Sequence, residues 1–352
     1  AHPILIDAAA DINMSFWHSA TFSNDGTKLL FSDEWGGGTQ PRCRETDKPE
    51  WGANALFTIQ NNNLVFKSYY KMPAPQTSFE NCVAHNGSLI PIPGREVMVQ
   101  GWYQGGLSVF DWTDVSKPKE IAYFDRGPID GTRLITGGSW SVYWYNGLIV
   151  SSEIARGLDI FELLPGGLIT QNELDAAKTV KFDYLNAQEQ RKLVWPPSFA
   201  KARAFVDQLE RSNGLPATRF AAVRQNLDAA EKLSRQPKQQ ALRKLATQLT
   251  ADAKTASDQP KVRMLVDAGR ELGGKKLASY QLPVSQSPVA DALLETGNRK
   301  LETSIRQRPR RNHVAQRRDR RSARRFQRDR HRPDTLRGAA PREREGAAIG
   351  LQ

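Results

Sequence analysis

The feature that most constrains the fold is a repeat in the first half of the chain. The segment Val97–Trp112 (VMVQGWYQGGLSVFDW) aligns without a gap with Leu148–Leu163 (LIVSSEIARGLDIFEL). Each copy is an apolar run, then a polar or aromatic break, then Gly-Leu, then an alternating strand that ends at or beside an acidic residue. A less regular third copy joins Leu29–Trp35 to Leu56–Ile59 across an inserted loop. A repeat of this length predicts a series of small sheets, one for each copy.

Turn signals precede each copy and complete a four-stranded unit. Ser23-Asn24-Asp25-Gly26 predicts a hairpin, because Asp-Gly readily adopts the positive φ that a tight turn requires. Asn86-Gly87 and Asn146-Gly147 predict hairpins in the next two units. Four antiparallel strands per unit are typical of the blades of a β-propeller. The predicted fourth strands are Leu64–Tyr70, Glu120–Phe124 and Thr179–Phe182.

Beyond residue 168 the hydrophobic period changes from that of strands to that of helices. Four stretches place apolar residues on one helical face, and these faces are interpreted as core rather than as a ligand groove. They are Phe199–Leu209, Phe220–Ala230, Leu242–Leu249 and Val262–Leu272. The expected fold is therefore mainly β, a partial β-propeller followed by a small α-helical bundle. Its zones are about three four-stranded antiparallel blades over 1–168, the bundle over 171–272 and a linker over 273–296.

The basic character of the chain is confined to a final tail. Residues 297–352 contain 17 Arg and one Lys against six acidic residues, and their net charge of +12 equals that of the whole chain. Few apolar residues and no period predict disorder there. Three interpretations stay open: a nucleic-acid-binding arm, a solvated tail without a partner, and an out-of-frame translation product. Since the other residues are neutral overall, we do not expect nucleic-acid binding by the folded part.

Three further features bear on the compartment of the protein. No run of about 18 apolar residues occurs, so no transmembrane helix is predicted. The chain begins at Ala1 without a starting Met or a signal peptide, as expected for a mature or truncated product. Cys43 and Cys82 lie in loop-like contexts and are expected to form a disulfide in an oxidising compartment. Two free surface thiols are the alternative.

One stretch of the repeat carries a family resemblance. Gly106–Phe124 (GLSVFDWTDVSKPKEIAYF) resembles the LVIVD repeat of bacterial propeller proteins, with an apolar strand leading to Asp, a D-x-S-x-P turn and a strand ending in an aromatic residue. Gly157–Leu163 matches the first half of that pattern. The resemblance covers about residues 10–235 and leaves out the Arg-rich tail. It implies an exported, extracytoplasmic propeller, secreted or periplasmic, and little chemistry. We interpret the chain as a binding or scaffold module, and the sequence demonstrates no catalysis.

The resemblance also sets expectations about partners. Propellers usually close with four to eight blades, whereas about three are counted here. We therefore expect further N-terminal blades of the same protein as one partner. An unidentified protein or glycan ligand is the other expectation, and no ligand chemistry follows from the resemblance itself.

Superposition of the copies predicts one cluster of metal-ligating side chains. Glu34 and Glu153 fall at equivalent positions, while His18 and His85 belong to the first strands of their units. Because the innermost strands of a propeller line its axial channel, these four side chains are expected to converge there. Two imidazoles and two carboxylates suit a divalent transition metal, and carboxylates with Asn86 and carbonyl groups suit calcium. A hydrogen-bonded network that joins the blades without a metal is the alternative.

A metal in the channel would favour a second function, that of a metal-dependent hydrolase or oxidoreductase. Other enzyme signatures are absent from the sequence, which has no G-x-S-x-G, no phosphate-binding glycine loop and no H-E-x-x-H. An aromatic concentration is interpreted as packing between blades rather than as a ligand platform. It consists of Trp102, Tyr103, Trp140, Tyr143, Trp144 and Tyr145.

Overall fold

A computed structural model of the chain describes residues 2–274 and 347–351. They belong to one of two units of the chain, Ala1–Tyr280 with Arg344–Gln352, and the other unit, Gln281–Glu343, lies outside them. The described part contains twelve strands and five helices. The chain is mainly β up to Leu163, where eleven of the strands lie in three antiparallel sheets.

The first two sheets each have four antiparallel strands in sequence order. The first contains β1 (Trp17–Phe22), β2 (Lys28–Asp33), β3 (Asn54–Gln60) and β4 (Asn63–Tyr70). The second contains β5 (Gly87–Ile90), β6 (Val97–Gly101), β7 (Leu107–Asp111) and β8 (Lys119–Phe124).

Two adjacent strands of the third sheet correspond to two adjacent strands of the second. It contains β9 (Ser139–Tyr145), β10 (Leu148–Glu153) and β11 (Gly157–Leu163). The two aligned copies form β6–β7 and β10–β11, and in each the Gly-Leu step begins the second strand. The repeat interpretation is confirmed at this level, and the predicted fourth strands of the first two units are β4 and β8.

The fourth strand of the third unit was predicted wrongly. Residues Thr179–Phe182 are not a strand. Instead β12 (Ala347–Leu351) pairs antiparallel with β11 and parallel with β8, so it joins the second and third sheets. These five residues also correct the expectation of disorder over 297–352, because the AAIGL segment is apolar, unlike the Arg-rich run before it. The rest of the tail and most of the predicted linker lie outside the described residues.

Two of the three predicted hairpin turns are confirmed. Gly26 has a φ of +73°, and Asn146 and Gly147 also adopt positive φ between β9 and β10. Asn86-Gly87 is not a turn, because Gly87 is the first residue of β5. A Cβ at Gly87 would lie 2.3 Å from the Val99 carbonyl oxygen, so glycine serves close packing against β6 rather than chain reversal.

Two apolar cores lie between the three sheets. Leu30 and Leu56 of the first sheet pack with Met98 and Phe110 of the second, and the disulfide cysteines belong to the same cluster. The second and third sheets share a further core, which helix α1 (Gln171–Ala177) covers with Leu174 and Ala177. The remaining members of that core include Val99, Val109, Ile121, Trp144, Ile149 and Phe161.

The four predicted helical periods are confirmed. They form α2 (Phe199–Arg211), α3 (Ala217–Glu231), α4 (Arg235–Asp252) and α5 (Gln259–Leu272), which enclose one core of their own. Helix α5 contacts the sheets at the β5–β6 turn, where Lys261 Nζ donates to the Gly94 carbonyl at 2.6 Å. Among the helices in the described part of the chain, none is both long and apolar enough to cross a bilayer.

Candidate functional site

A disulfide joins the two loops that carry Glu34 and His85, two of the candidate ligands. Cys43 and Cys82 are bonded with their Cα atoms 5.6 Å apart, which confirms the predicted pairing. Cys43 lies in the loop between β2 and β3, which begins at Glu34, and Cys82 lies three residues before His85. Backbone hydrogen bonds from Arg42 to Cys82 and from Ala84 to Gly52 hold the two loops together.

Three of the four predicted ligands come together. His18 lies on β1, Glu34 directly follows β2, and His85 precedes β5 by two residues. One potential ligand atom from each of the three lies within 4.8 Å of the others. The His85 Nε2–Glu34 Oε1 distance is 3.2 Å, and the His18 Nε2–Glu34 Oε2 distance is 3.7 Å. Glu34 and His85 are buried, whereas His18 is exposed.

Strands β1 and β9 each contain a β-bulge beside this cluster. In β1 the pairing with β2 slips between Trp17 and Ala20, so His18 belongs to a bulge. In β9 the pairing with β10 slips at Ser152 and Glu153, which leaves Trp140 as the extra residue. A bulge leaves backbone groups unpaired and redirects the side chain. The freed Trp140 carbonyl therefore faces His85.

The hydrogen bonds of His85 define its tautomer. His85 Nδ1 lies 2.5 Å from the Trp140 carbonyl oxygen. A carbonyl only accepts, so Nδ1 carries the proton and donates it. In the neutral ring Nε2 then has a lone pair, which accepts from Trp140 Nε1 at 3.1 Å and also faces Glu34 Oε1. A histidine oriented by a backbone carbonyl in this way is a common arrangement around bound metal.

The surroundings of His85 favour this neutral form. Burial is the main cause that lowers its pKa, because the imidazolium is poorly solvated there. The neighbouring His18 acts in the same direction, whereas the Trp140 carbonyl and Glu34 oppose it. Metal binding requires neutral imidazole, so the environment keeps His85 in the form that a metal needs.

Tyr103 also contacts the carboxylate of Glu34. Its hydroxyl donates to Glu34 Oε1, and burial, together with this hydrogen bond, raises the pKa of the phenol. Tyr103 has a φ of +54° and is enclosed by two glycines. A Cβ at Gly38 would lie 2.1 Å from Tyr103 Cζ, and a Cβ at Gly138 would lie 1.9 Å from the Tyr103 carbonyl carbon.

Sequence reasoning did not assign Tyr103 and Trp140 to the site. Both belonged to the aromatic concentration interpreted as packing. A sequence signal for Tyr103 did exist in two glycine runs, Gly36-Gly37-Gly38 and Gly137-Gly138. Glycine at Gly38 and Gly138 allows close approach of the Tyr103 ring and of its backbone, respectively.

Glu153, the fourth predicted ligand, does not join the group. Its Oε1 accepts from the Gly138 amide at 2.6 Å, and Arg156 lies 4.0 Å from the same oxygen. The other oxygen, Oε2, is buried without a hydrogen-bond partner. Asn86, considered for a calcium site, donates to Ser141 Oγ at 3.4 Å. The carboxylate of Glu153 therefore stabilises the backbone at Gly138, which packs closely against the backbone of Tyr103.

The cluster borders, through His18 alone, a cavity of about 950 Å³. His18 and Asn86 line it, together with residues of β9 and the segment 182–193. That segment is attached to the edge of β1 by the Gln190 side chain, which accepts from the Phe22 amide at 2.9 Å and donates to the Ala20 carbonyl at 2.8 Å. The exposed imidazole of His18 thus connects the buried carboxylate to the cavity.

Among protein-family models and among curated proteins, the comparisons found no match to this chain.

Proposed function

We propose that this chain is part of an exported binding module that holds a divalent transition metal with His18, Glu34 and His85. The observation that carries the proposal is the approach of His85 Nε2 to Glu34 Oε1 at 3.2 Å. With Nδ1–H committed to the Trp140 carbonyl, Nε2 has no proton to donate to the carboxylate, so two acceptor atoms repel each other across that distance even though the Trp140 indole N–H also donates to Nε2. A cation between them removes the repulsion, and a metal supplies that cation while the imidazole stays neutral.

The donor set indicates the class of metal. Two imidazoles and one carboxylate are the ligands of catalytic zinc sites and of non-haem iron(II) sites, both of which keep open positions. Calcium is less suited, because it prefers six to eight oxygen ligands. Glu34 is the carboxylate of the cluster, since Glu153 lies outside it. The open positions would be available to a ligand that enters the cavity beside His18.

One adjustment is required for a single ion to bind both imidazoles. The rings of His18 and His85 are stacked, with centroids 4.3 Å apart and planes inclined by 26°. A bound ion lies in the plane of each imidazole, so one ring has to rotate. His18 is the ring that can do so, because it is exposed and its contact with Glu34 is long, at 3.7 Å.

The wider context of the proposal is an extracytoplasmic propeller protein of the LVIVD type. Three successive sheets with aligned repeats support the comparison with propeller blades. The Cys43–Cys82 disulfide supports an oxidising compartment, because such bonds persist mainly in exported proteins. In this setting the metal serves a binding module whose ligand occupies the cavity.

The test is metal binding by purified protein prepared without an affinity metal. We expect one equivalent of Co²⁺ with visible d–d absorption, and near-stoichiometric metal by elemental mass spectrometry. His18→Ala should weaken binding at least about tenfold, comparable to losses from perturbing ligand shells. His18 is exposed, so the variant should fold. His2→Ala, which alters an exposed histidine at the start of the chain, is the matched control.

A folded protein that binds neither Co²⁺ nor Zn²⁺ would contradict the proposal. The cluster would then be a hydrogen-bonded network between sheets, and a protein or glycan ligand without metal would become the function to test. Equal affinity in wild type and His18→Ala, with metal bound elsewhere, would also reject this site.

A second candidate function is a metal-dependent hydrolase or oxidoreductase. It is favoured by one observation, that a two-histidine, one-carboxylate set borders, through His18, a cavity large enough for a substrate. Ester hydrolysis by the zinc-loaded protein, abolished both by chelation and by Glu34→Gln, would support it. Metal binding without turnover across ester and lactone substrates would leave the binding module as the function.

A further inference from the structure

Trp140 contacts His85 twice, with groups of opposite hydrogen-bonding character. Its carbonyl oxygen accepts from His85 Nδ1 at 2.5 Å. Its indole Nε1–H donates to His85 Nε2 at 3.1 Å. The first contact orients the imidazole for metal binding, and the second occupies the atom through which the imidazole would bind.

The two contacts cannot both persist when a metal binds. Neutral imidazole has a single in-plane lone pair, on Nε2, so it either accepts the indole proton or coordinates an ion. The carbonyl contact does not compete, because it uses the opposite nitrogen. Only the indole hydrogen bond has to break.

The carbonyl lies in a paired strand, whereas the indole is half exposed to solvent. The Trp140 carbonyl belongs to the backbone of β9, beside residues paired with β10 and the Tyr103–Ser139 bridge. The Trp140 residue is 52% exposed, so its indole can exchange His85 for water at small cost. The imidazole orientation would therefore survive the departure of the indole.

Glu34 presents no equivalent barrier. Its Oε1 accepts from the Tyr103 hydroxyl, but a carboxylate oxygen has two lone pairs and can also coordinate a metal. Among the three proposed ligands, His85 is thus the one whose binding atom is occupied by a hydrogen bond that the metal must replace.

From these contacts we infer that the Trp140 indole gates metal entry, covering His85 Nε2 and yielding it to the incoming ion. The inference rests on the proposed metal site. It assigns to one residue both the orientation of His85, through the backbone, and the regulation of its affinity, through the side chain. A further consequence is that the indole of Trp140 should move when a metal ion binds.

The first experiment compares Zn²⁺ affinity in wild type and Trp140→Phe by competition with a chromophoric chelator. The variant keeps the backbone carbonyl and removes the competing donor. A neutral hydrogen bond is worth about 1 kcal/mol, so we expect about fivefold tighter binding. Trp35→Phe is the matched control, because Trp35 is also partly exposed and packs on Trp51 rather than on His85.

The second experiment follows the indole itself. In protein labelled with ¹⁵N-tryptophan, the Trp140 indole resonance is assigned by its absence in Trp140→Phe. We expect this resonance to move on addition of Zn²⁺, and also to move in His85→Gln before any metal is added. The second shift tests the indole contact independently of metal binding.

The outcomes separate this inference from the function on which it rests. If wild type binds Zn²⁺ at His18 and Glu34 while Trp140→Phe has unchanged affinity and the resonance stays in place, the gate is rejected and the metal site stands. If wild type binds no Zn²⁺, both are rejected, and a shift of the resonance in His85→Gln identifies the indole contact as structural.

Discussion

His85 and Glu34 lie in loops beside strands of different sheets, yet His85 Nε2 lies 3.2 Å from Glu34 Oε1. The approach depends on contacts around both groups. The Trp140 carbonyl orients the imidazole, and the Tyr103 hydroxyl orients the carboxylate. The disulfide between Cys43 and Cys82 joins the loops from which the two residues project. These supports provide tests of the site that do not alter a ligand.

Tyr103→Phe removes the hydroxyl that donates to Glu34 Oε1 while keeping the ring between its neighbouring glycines. Loss of a partner that orients a metal ligand typically costs about 10–100-fold in affinity, and we expect a loss near the lower end for Co²⁺ or Zn²⁺. Tyr143→Phe, a change in another residue that lines the cavity, is the control. Equal affinities for Tyr103→Phe and wild type would show that Glu34 needs no support.

Gly138→Ala tests the close approach beneath Tyr103. A Cβ there would lie 1.9 Å from the Tyr103 carbonyl carbon, at a residue whose φ is +91°. Steric overlap and backbone strain together should lower the free energy of unfolding by about 3 kcal/mol or more. Gly157→Ala is a matched control, because Gly157 has a φ of +100° but nothing within 4 Å of the added Cβ.

The control should lose only the cost of the positive φ, about 1 kcal/mol. Urea unfolding followed by circular dichroism measures both losses. If the two variants are destabilised equally, steric contact with Tyr103 is not what requires glycine at position 138.

Removal of the disulfide by Cys43→Ala with Cys82→Ala should destabilise the fold. The bond spans a sequence separation of 39 residues, and closing a loop of that length in the unfolded chain is worth about 4 kcal/mol in the chain-entropy description. We also expect weaker Zn²⁺ binding, because the bond joins the loops of Glu34 and His85. Urea unfolding and metal titration test the two effects, and a loss below about 1 kcal/mol would contradict the first.

Lys71 predicts a dependence of stability on alkaline pH. Burial is the main cause that lowers its pKa from 10.5 to about 8, while Asp47 and Asp33 oppose the shift. Its ammonium group donates to the carbonyls of Arg42 and Trp51. Between pH 8 and 10.5 the unfolded chain binds more protons at this residue than the folded chain, so its contribution to stability rises with pH.

The measurement compares wild type with Lys71→Met, so that titration of all other groups cancels. The difference in the free energy of unfolding, wild type minus variant, should be flat below pH 8 and should increase in favour of wild type up to about pH 10.5. Curves that stay parallel across this range would contradict a lowered pKa for Lys71.

Local sequence patterns determined the elements of this fold. Alternating apolar residues with Asp-Gly and Asn-Gly turns specify hairpins through backbone geometry, and the strands of the first two sheets and the helices from Phe199 onward follow from period alone. The pairing of Cys43 with Cys82 was also predictable, since the described part of the chain offers no other cysteine.

Tertiary structure decided which side chains meet. Superposition of the repeats predicted that Glu34 and Glu153 would be equivalent, but Glu153 binds the Gly138 amide instead. Two bulges, one at His18 in β1 and one at Trp140 in β9, redirect the groups that surround His85. A bulge shifts register by a single residue and reverses the face of a side chain, and its position depends on contacts between distant strands. For that reason the sequence predicted three members of the cluster, while its geometry and the roles of Tyr103 and Trp140 emerged only from the folded chain.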